Sequence, residues 1–519
     1  MNAPKTRREF LADVGRGMLI ATVGCGVAHD LSLAPAFAAD APDVLDFGPL
    51  ESLVRFMQET PVSKLLPGLA DKLSSGAELR QLVAAAALAN ARTFGGEDYV
   101  GFHTMMALAP ALHMARELPD VLQPLPIFKV LYRNTNRIQE KGGRKDEVLH
   151  AVKPASGDGH PSAETVRSAV HRKDADEAER TFAALAQHSP SDALDALLYT
   201  VQDHTEVHRV VLPYRAWDLL DLIGKEHALT LLRQSVRYCV KAESWQYSEK
   251  YNQPAQLLPK ILEEHKLLDR AVGNRAAEDN WVDQLSQTIF KSTPEQAAEA
   301  AAAALAEGFS PAAIGEAVSL AANQLILRDM GRTPREETTG KPPGSVHGDS
   351  IGVHACDSAC AWRNLARVSS ARNTFACLIL GAYQVALDRT ARGGDFLNWS
   401  PLPVQYHVDQ LKATEPAALL NEVDEAIRQK LQAHAAAAVH RYGALGHEPR
   451  AMFDVLLRYA VSEDGALHAE KYYRTVTEEF SATRPAFRWR QLIALARVTA
   501  SEYGRPAAGI AEARQILKV

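Results

Sequence analysis

Apolar residues recur along most of the chain at intervals of three and four positions, with polar residues between them. The pattern is clear in segments 79–86, 194–201 and 219–223. This spacing is typical of an amphipathic α-helix, whereas strand-like alternation is hard to find. Alanine-rich runs such as residues 297–301 add strong helix propensity. We therefore predict an all-α fold.

Short segments of the chain recur in two places. Residues 100–104 (VGFHT) resemble residues 351–355 (IGVHA), and an alanine-rich helical pattern precedes each. Residues 203–206 (DHTE) resemble residues 467–470 (LHAE), each after a leucine-rich helical pattern. Similar residues at nearly equal separations indicate an internal repeat. We predict two pseudo-equivalent halves, each built of duplicated helical hairpins, around a central pocket. Chance similarity between amphipathic helices is the alternative.

The N-terminal segment has a different pattern from the rest of the chain. TRREFL at 6–11 precedes an apolar stretch at 18–27 and then AFA at 36–38. This order resembles a bacterial twin-arginine signal with a small-residue cleavage site. The apolar stretch is shorter than the roughly 20 residues that span a bilayer. A cytoplasmic N-terminal helix and a lipid anchor on Cys25 are the alternatives.

The signal and the repeat together predict how the chain is organised. We assign residues 1–39 to a twin-arginine signal peptide, 40–285 to an N-terminal helical half and 286–519 to a C-terminal helical half. The twin-arginine translocase is then the export partner, and the periplasm is the destination. Because that route exports folded proteins, many of which carry a cofactor, a bound metal or cofactor becomes more plausible.

Composition narrows the possible partners. The chain has 519 residues, of which 46% are hydrophobic and 23% charged, enough to bury a large core. The formal net charge is −6 and basic residues are scattered, so we expect no nucleic-acid partner. Beyond the signal no unbroken apolar run reaches 18 residues, so we expect no membrane span in the mature protein. Five cysteines are too few for a disulfide scaffold in a chain of this length.

The repeat sets four histidines apart from the others. His103 matches His354, and His204 matches His468. If each hairpin directs its second helix toward a shared axis, four imidazoles meet, as in the metal sites of helix bundles. His208 follows His204 by four residues, one turn along the same face of a predicted helix, where both imidazoles could chelate one ion.

We therefore predict one transition metal ion, whether iron, copper or zinc, bound by His103, His204, His208, His354 and His468. Histidines buried in the core without a metal are the alternative. The spacing HTEVH differs from HExxH, so a zinc-protease mechanism is not supported. No glycine-rich phosphate loop, G-x-S-x-G elbow or C-x-x-C-H haem attachment follows the signal.

Other residues near these histidines have two interpretations each. Cys356 and Cys360 are either buried apolar thiols or soft copper ligands beside His354. Lys471 and Tyr472 either donate a proton to a planar or anionic organic substrate or serve packing. Residues 331–350 form the most polar stretch, and we expect a long loop or lid there.

Three features together resemble the questin oxidase-like family: the pattern H-x-x-x-H at 204–208, His354 at the start of a small-residue helix, and DGALHAEK at 464–471. That resemblance implies a helical oxidoreductase, because the family includes enzymes that open anthraquinone rings oxidatively. It implies a small aromatic or quinone-like substrate. We predict an exported metal-dependent oxidoreductase. A periplasmic helical scaffold that binds a partner protein and a metal carrier without turnover are the alternatives.

Overall fold

The computed structural model describes residues 44–155, 161–245 and 253–519. The predicted twin-arginine signal at 1–39 lies outside these residues. The described part contains 23 α-helices, is 71% helical and has no strands. The prediction of an all-α fold is confirmed. In the same residues, no helix combines the length and the apolar character needed to cross a membrane.

Ten helices lie before residue 245. They are α1 (Glu51–Glu59), α2 (Val62–Ser74), α3 (Leu79–Phe94), α4 (Tyr99–Arg116), α5 (Pro124–Glu140), α6 (Ala163–His171), α7 (Ala175–Ala186), α8 (Pro190–Val201), α9 (Val207–Ile223) and α10 (Ala228–Ala242).

Thirteen further helices follow residue 253. They are α11 (Pro254–Glu264), α12 (Asp279–Lys291), α13 (Pro294–Ala306), α14 (Pro311–Arg328), α15 (Ile351–Val368), α16 (Ala371–Arg392), α17 (Gln405–Gln410), α18 (Pro416–Arg428), α19 (Gln432–Ala444), α20 (Pro449–Ser462), α21 (His468–Ala482), α22 (Trp489–Glu502) and α23 (Ile510–Leu517).

Four helices form the centre of the structure. Helix α4 packs against α9, α9 against α15, α15 against α21, and α21 against α4, which closes a ring. Helix α3 packs on α4 and α14 on α15, while α10 packs on α9 and α22 on α21. These neighbours bury nearly every position of α4 from Gly101 to Ala115, as expected for a helix that is apolar on all faces.

Side-chain caps set the starts of three central helices. Asp98 accepts a hydrogen bond from the Gly101 N–H at the start of α4, and Glu206 accepts one from the Arg209 N–H at the start of α9. Ser350 caps α15. Such caps satisfy main-chain donors that have no partner within the helix.

Helix α21 begins differently from the other three central helices. No side chain caps it, and the two residues before it, Ala466 and Leu467, have φ angles of 49° and 68°. Left-handed backbone costs a residue with a side chain about 1–2 kcal/mol. The turn before His468 is therefore strained.

The polar stretch between α14 and α15 is a long loop, as its composition predicts. It contains one short 3₁₀ turn, Pro334–Glu336. The Val346 N–H donates to the Ser501 hydroxyl (2.9 Å) and the Gly348 N–H donates to the Glu502 carboxyl (2.7 Å). A Cβ atom on Gly348 would lie 2.3 Å from the Cβ of His468, so this approach requires glycine. The loop is therefore anchored beside the start of α21.

Candidate functional site

Four imidazoles meet where the four central helices begin. They belong to His103 on α4, His208 on α9, His354 on α15 and His468 on α21. Neighbouring ring centroids are separated by 4.7 Å (103 to 208), 5.9 Å (208 to 354), 5.3 Å (354 to 468) and 5.4 Å (468 to 103). Four of the five histidines chosen from the sequence therefore form one cluster.

Within this cluster the imidazoles form two close pairs. The Nε2 atoms of His103 and His208 are 3.2 Å apart, and those of His354 and His468 are also 3.2 Å apart. We call His103 with His208 the first pair and His354 with His468 the second pair. Among the described residues, no group of three or more His, Cys, Asp or Glu side chains is positioned to hold a metal ion as it stands.

The other ring nitrogens of the first pair hydrogen-bond to acceptors. His103 Nδ1 lies 2.7 Å from the main-chain oxygen of Tyr99, and His208 Nδ1 lies 2.6 Å from a carboxylate oxygen of Glu206. Because both partners only accept, both Nδ1 atoms carry hydrogen, and in the neutral rings each Nε2 carries a lone pair. Two lone pairs that face each other at 3.2 Å repel unless a proton or a metal ion lies between them.

Burial favours the neutral form of His103, His354 and His468. It lowers the pKa of His103 and His468 well below the ordinary value of 6.5 and that of His354 to about 3. The positive charge of Lys471 lowers all three pKa values further. Neutral imidazole is the form that binds metal ions, so protons do not compete strongly near neutral pH.

The structure separates His204 from the cluster. Helix α9 begins at Val207, so His204 lies in the preceding loop, and the prediction of a helical i, i+4 pair with His208 is wrong. His204 Nε2 lies 3.3 Å from a carboxylate oxygen of Glu243. Among the described residues it makes no ring contact with the four clustered histidines. Its assignment as a ligand stays a prediction.

Lys471 lies on α21, one turn after His468, and is buried. Burial and the charge of Arg215 lower its pKa to about 8, although Asp357 and Glu470 oppose the shift. A lysine with this pKa exchanges protons near neutral pH. The proposed proton transfer by Lys471 stays a prediction that this electrostatic environment favours.

Tyr472, Cys356 and Cys360 are buried. Burial raises the pKa of the Tyr472 hydroxyl, which lies beside the Cys356 thiol, well above its ordinary value. Burial likewise keeps the Cys356 and Cys360 thiols protonated by raising their pKa values. The Cys360 thiol donates to a carboxylate oxygen of Glu478 (3.1 Å). These contacts favour buried thiols over copper ligands and make Tyr472 a weak proton donor.

Two neighbours of the cluster escaped the sequence analysis. Glu206 caps α9 and also hydrogen-bonds His208. Tyr99 is 48% exposed, and its ring lies 4.4 Å from that of His103, between the cluster and solvent. A tyrosine at the first position of a helix carries no sequence signal for such a role.

A cavity of about 60 Å³ lies beside His468 and is lined in part by His347 of the long loop. Pockets for organic ligands usually measure about 300–1,000 Å³. This cavity is therefore too small for the aromatic or quinone-like substrate that the family resemblance implies.

Comparison of the chain with protein-family models, with curated proteins and with solved structures finds no match. The resemblance to the questin oxidase-like family therefore stays a prediction. The function has to be inferred from the geometry of the four histidines and their neighbours.

Proposed function

We propose that His103, His208, His354 and His468 together bind one transition metal ion and that the protein is a metal-dependent oxidoreductase. The observation that carries the metal site is the approach of Nε2 atoms at 3.2 Å within each pair. Two nitrogens bound to one tetrahedral ion at 2.0–2.1 Å lie about 3.4 Å apart. The observed separations are close to that value.

The ring separations support one shared ion. Two imidazoles that bind one tetrahedral ion through Nε2 have ring centroids about 5 Å apart. The four neighbouring separations run from 4.7 to 5.9 Å. The four Nε2 atoms now form two separate pairs. A small shift of the pairs toward each other would bring all four nitrogens to one ion.

The hydrogen bonds behind the first pair support the same proposal. A histidine that binds a metal usually donates its other N–H to a carboxylate or a main-chain carbonyl, which fixes the orientation of the ring. Glu206 and the Tyr99 carbonyl supply these two kinds of acceptor to His208 and His103.

We also propose that the chain consists of two equivalent halves, each of which supplies one pair. Helix α3 packs on α4 and α4 on α5, just as α14 packs on α15 and α15 on α16. Gly101 and Gly352, two residues before His103 and His354, occupy the same kind of contact. A Cβ on Gly101 would meet Phe94 at 2.5 Å, and one on Gly352 would meet Ile326 at 2.8 Å. In this alignment His208, and not His204, corresponds to His468.

The identity of the metal decides whether an oxidoreductase or a metal carrier is the better proposal. Four imidazoles complete the coordination of a tetrahedral zinc ion and leave no position for a substrate. An ion that accepts five or six ligands, such as iron, would keep an open position and supply redox chemistry. In that case Tyr99 would control access to the cluster, and Lys471 would exchange a proton with the bound molecule.

Elemental analysis of protein purified from the periplasm tests the proposal. We expect about one transition metal ion per chain, and we expect each of the four variants His103→Ala, His208→Ala, His354→Ala and His468→Ala to lose it. His171→Ala is the matched control, because His171 lies on α6 and contacts Asp203. Protein that stays metal-free after titration with iron, copper and zinc would overturn the proposal.

A redox titration separates the two forms of the proposal. An oxidoreductase should hold iron or copper that a reductant reduces and dioxygen reoxidises, with a matching change in the absorption spectrum. Zinc as the only ion found after export would instead favour the metal carrier. Protein without any ion would favour the scaffold.

A further inference from the structure

Apart from His468, the residues that line the cavity beside it do not belong to the four-histidine site. Three segments enclose it: the long loop with Lys341 and His347, the strained turn before His468, and the C-terminal end of α22 with Glu502, followed by Arg505. Main-chain hydrogen bonds from Val346 and Gly348 to α22 hold the loop in this position.

The two histidines that line this cavity each have a buried imidazole nitrogen with no hydrogen-bond partner among the described residues. These atoms are Nε2 of His347 and Nδ1 of His468, and the two side chains are 2% and 3% exposed. Buried polar atoms in folded proteins are almost always hydrogen-bonded, so each such atom needs an explanation. A small molecule in the cavity would satisfy both.

The role of His468 indicates that this molecule is an acceptor. When Nε2 of His468 binds the proposed ion, Nδ1 must carry hydrogen and can only donate. This step rests on the proposed function. In the first pair, the carboxylate of Glu206 accepts the equivalent hydrogen bond from His208. The described part of the chain supplies no such acceptor to His468.

The charges around the cavity favour an anion. Asp349 is paired with both Lys341 (2.6 Å) and Arg332 (2.8 Å), and Asp464 is paired with Arg133 (2.5 Å). Arg505 also lines the cavity, and its guanidinium has no carboxylate partner among the described residues.

Glu502 is the remaining acidic side chain of the cavity. It accepts the hydrogen bond of the Gly348 N–H. The cavity is lined by three carboxylates and two cationic side chains, and the two arginines that pair with Asp349 and Asp464 raise the number of cationic groups to four.

We infer that this cavity binds a small monovalent oxyanion of three or four heavy atoms, such as formate, nitrite or bicarbonate, which accepts a hydrogen bond from Nδ1 of His468. Its volume of about 60 Å³ is several times the roughly 10–15 Å³ that one water molecule requires in a cavity. An oxyanion of this size fits, and an aromatic acid does not. The bound anion orients the ring of His468 as Glu206 orients that of His208.

Calorimetric titration of the metal-loaded protein with sodium formate, nitrite and bicarbonate at pH 8 tests this inference. We expect saturable binding of at least one of the three with one site per chain. His347→Leu removes one of the two imidazoles that line the cavity, and we expect it to weaken binding about tenfold. His434→Leu is the matched control, because His434 lies on α19 and contacts Glu422.

Glu502→Gln should change anion affinity in the opposite direction. It removes a negative charge from the cavity and keeps an oxygen for the Gly348 N–H, so we expect binding to tighten at least about threefold. This variant keeps the test decisive if His347→Leu does not fold. The absence of saturable binding by all three anions, or binding that neither variant changes, would overturn the inference.

The metal content of the same samples separates the two proposals. A protein that holds its ion but binds none of the anions overturns the anion site alone. A protein that binds an anion but no metal overturns the metal site and leaves the cavity as an anion site.

Discussion

The two histidine pairs have the same internal spacing but different surroundings. In each pair the Nε2 atoms are 3.2 Å apart. Both rings of the first pair are anchored by acceptors of the protein, Glu206 and the Tyr99 carbonyl. In the second pair Nδ1 of His468 has no such partner within the described part of the chain, and a strained turn precedes that residue.

This difference separates a preorganised pair from an adjustable one. The first pair keeps its ring orientation through hydrogen bonds that exist without any ligand. The orientation of His468 depends on the strained turn, on the loop that passes Gly348 and on what occupies the neighbouring cavity. Each prediction below changes one of these elements.

Glu206→Gln should have the largest effect, because it weakens the acceptor behind His208. Loss of such a partner typically lowers metal affinity about 10–100-fold. We expect this loss in competition titrations against a chelator. Glu243→Gln makes the same chemical change beside His204, and we expect it to leave the affinity unchanged. Equal losses of metal affinity in both variants would support His204 as a metal ligand.

Gly348→Ala should come next, because the added methyl group collides with His468. A side chain that overfills a packed site typically costs about 1–3 kcal/mol. We expect a lower melting temperature and weaker metal binding. Gly344→Ala is the control: a Cβ there meets nothing within 4 Å, and only its left-handed backbone opposes the substitution. Its melting temperature should fall less, and its metal affinity should not change.

Ala466→Gly should have a smaller and favourable effect. Ala466 is exposed and has a φ of 49°, a conformation that glycine adopts without strain. We expect the free energy of unfolding to rise by about 0.5–1 kcal/mol, since the relief of strain exceeds the added chain entropy. Ala300→Gly within α13 should lower it by about 1 kcal/mol. Destabilisation by both substitutions would show that the turn is not strained.

The smallest predicted effect is on the pH dependence of stability and involves His171. Its pKa is raised, whereas burial lowers the pKa of His103, His354 and His468. Asp203 raises the pKa of His171 through a hydrogen bond. The resulting stabilisation is complete below the unfolded pKa of 6.5 and is lost as the pH rises through the higher folded pKa. The His171 side chain is 43% exposed, so solvent screening limits the effect to about 0.5 kcal/mol.

Denaturant titrations at pH 5.5 and pH 8 check this effect. The wild-type protein should lose that small increment at the higher pH, and His171→Asn should not. A larger loss in the variant than in the wild-type protein would contradict the assigned pair.

Much of the site could be predicted from the chain because local signals mark it. The repeated G-x-H motif identified His103 and His354, and the glycine allows close packing against the preceding helix. The second repeated segment identified His468 but aligned it with His204. His208 was chosen for its spacing from His204, although that spacing is not helical. His208, which lies in the cluster, was thus selected for a reason that the structure does not support.

Helix content follows from the sequence alone, because the apolar period and the alanine-rich runs act within a few turns of the chain. The position of each helix start is less certain, since Glu206 and its neighbours offer competing caps within a few residues. The meeting of His103 with His468 and of His208 with His354 depends on the packing of α4, α9, α15 and α21. The cavity behind His468 likewise arises only where a loop meets the end of a helix far along the chain. Such contacts join residues that no local pattern links, so tertiary structure alone decides them.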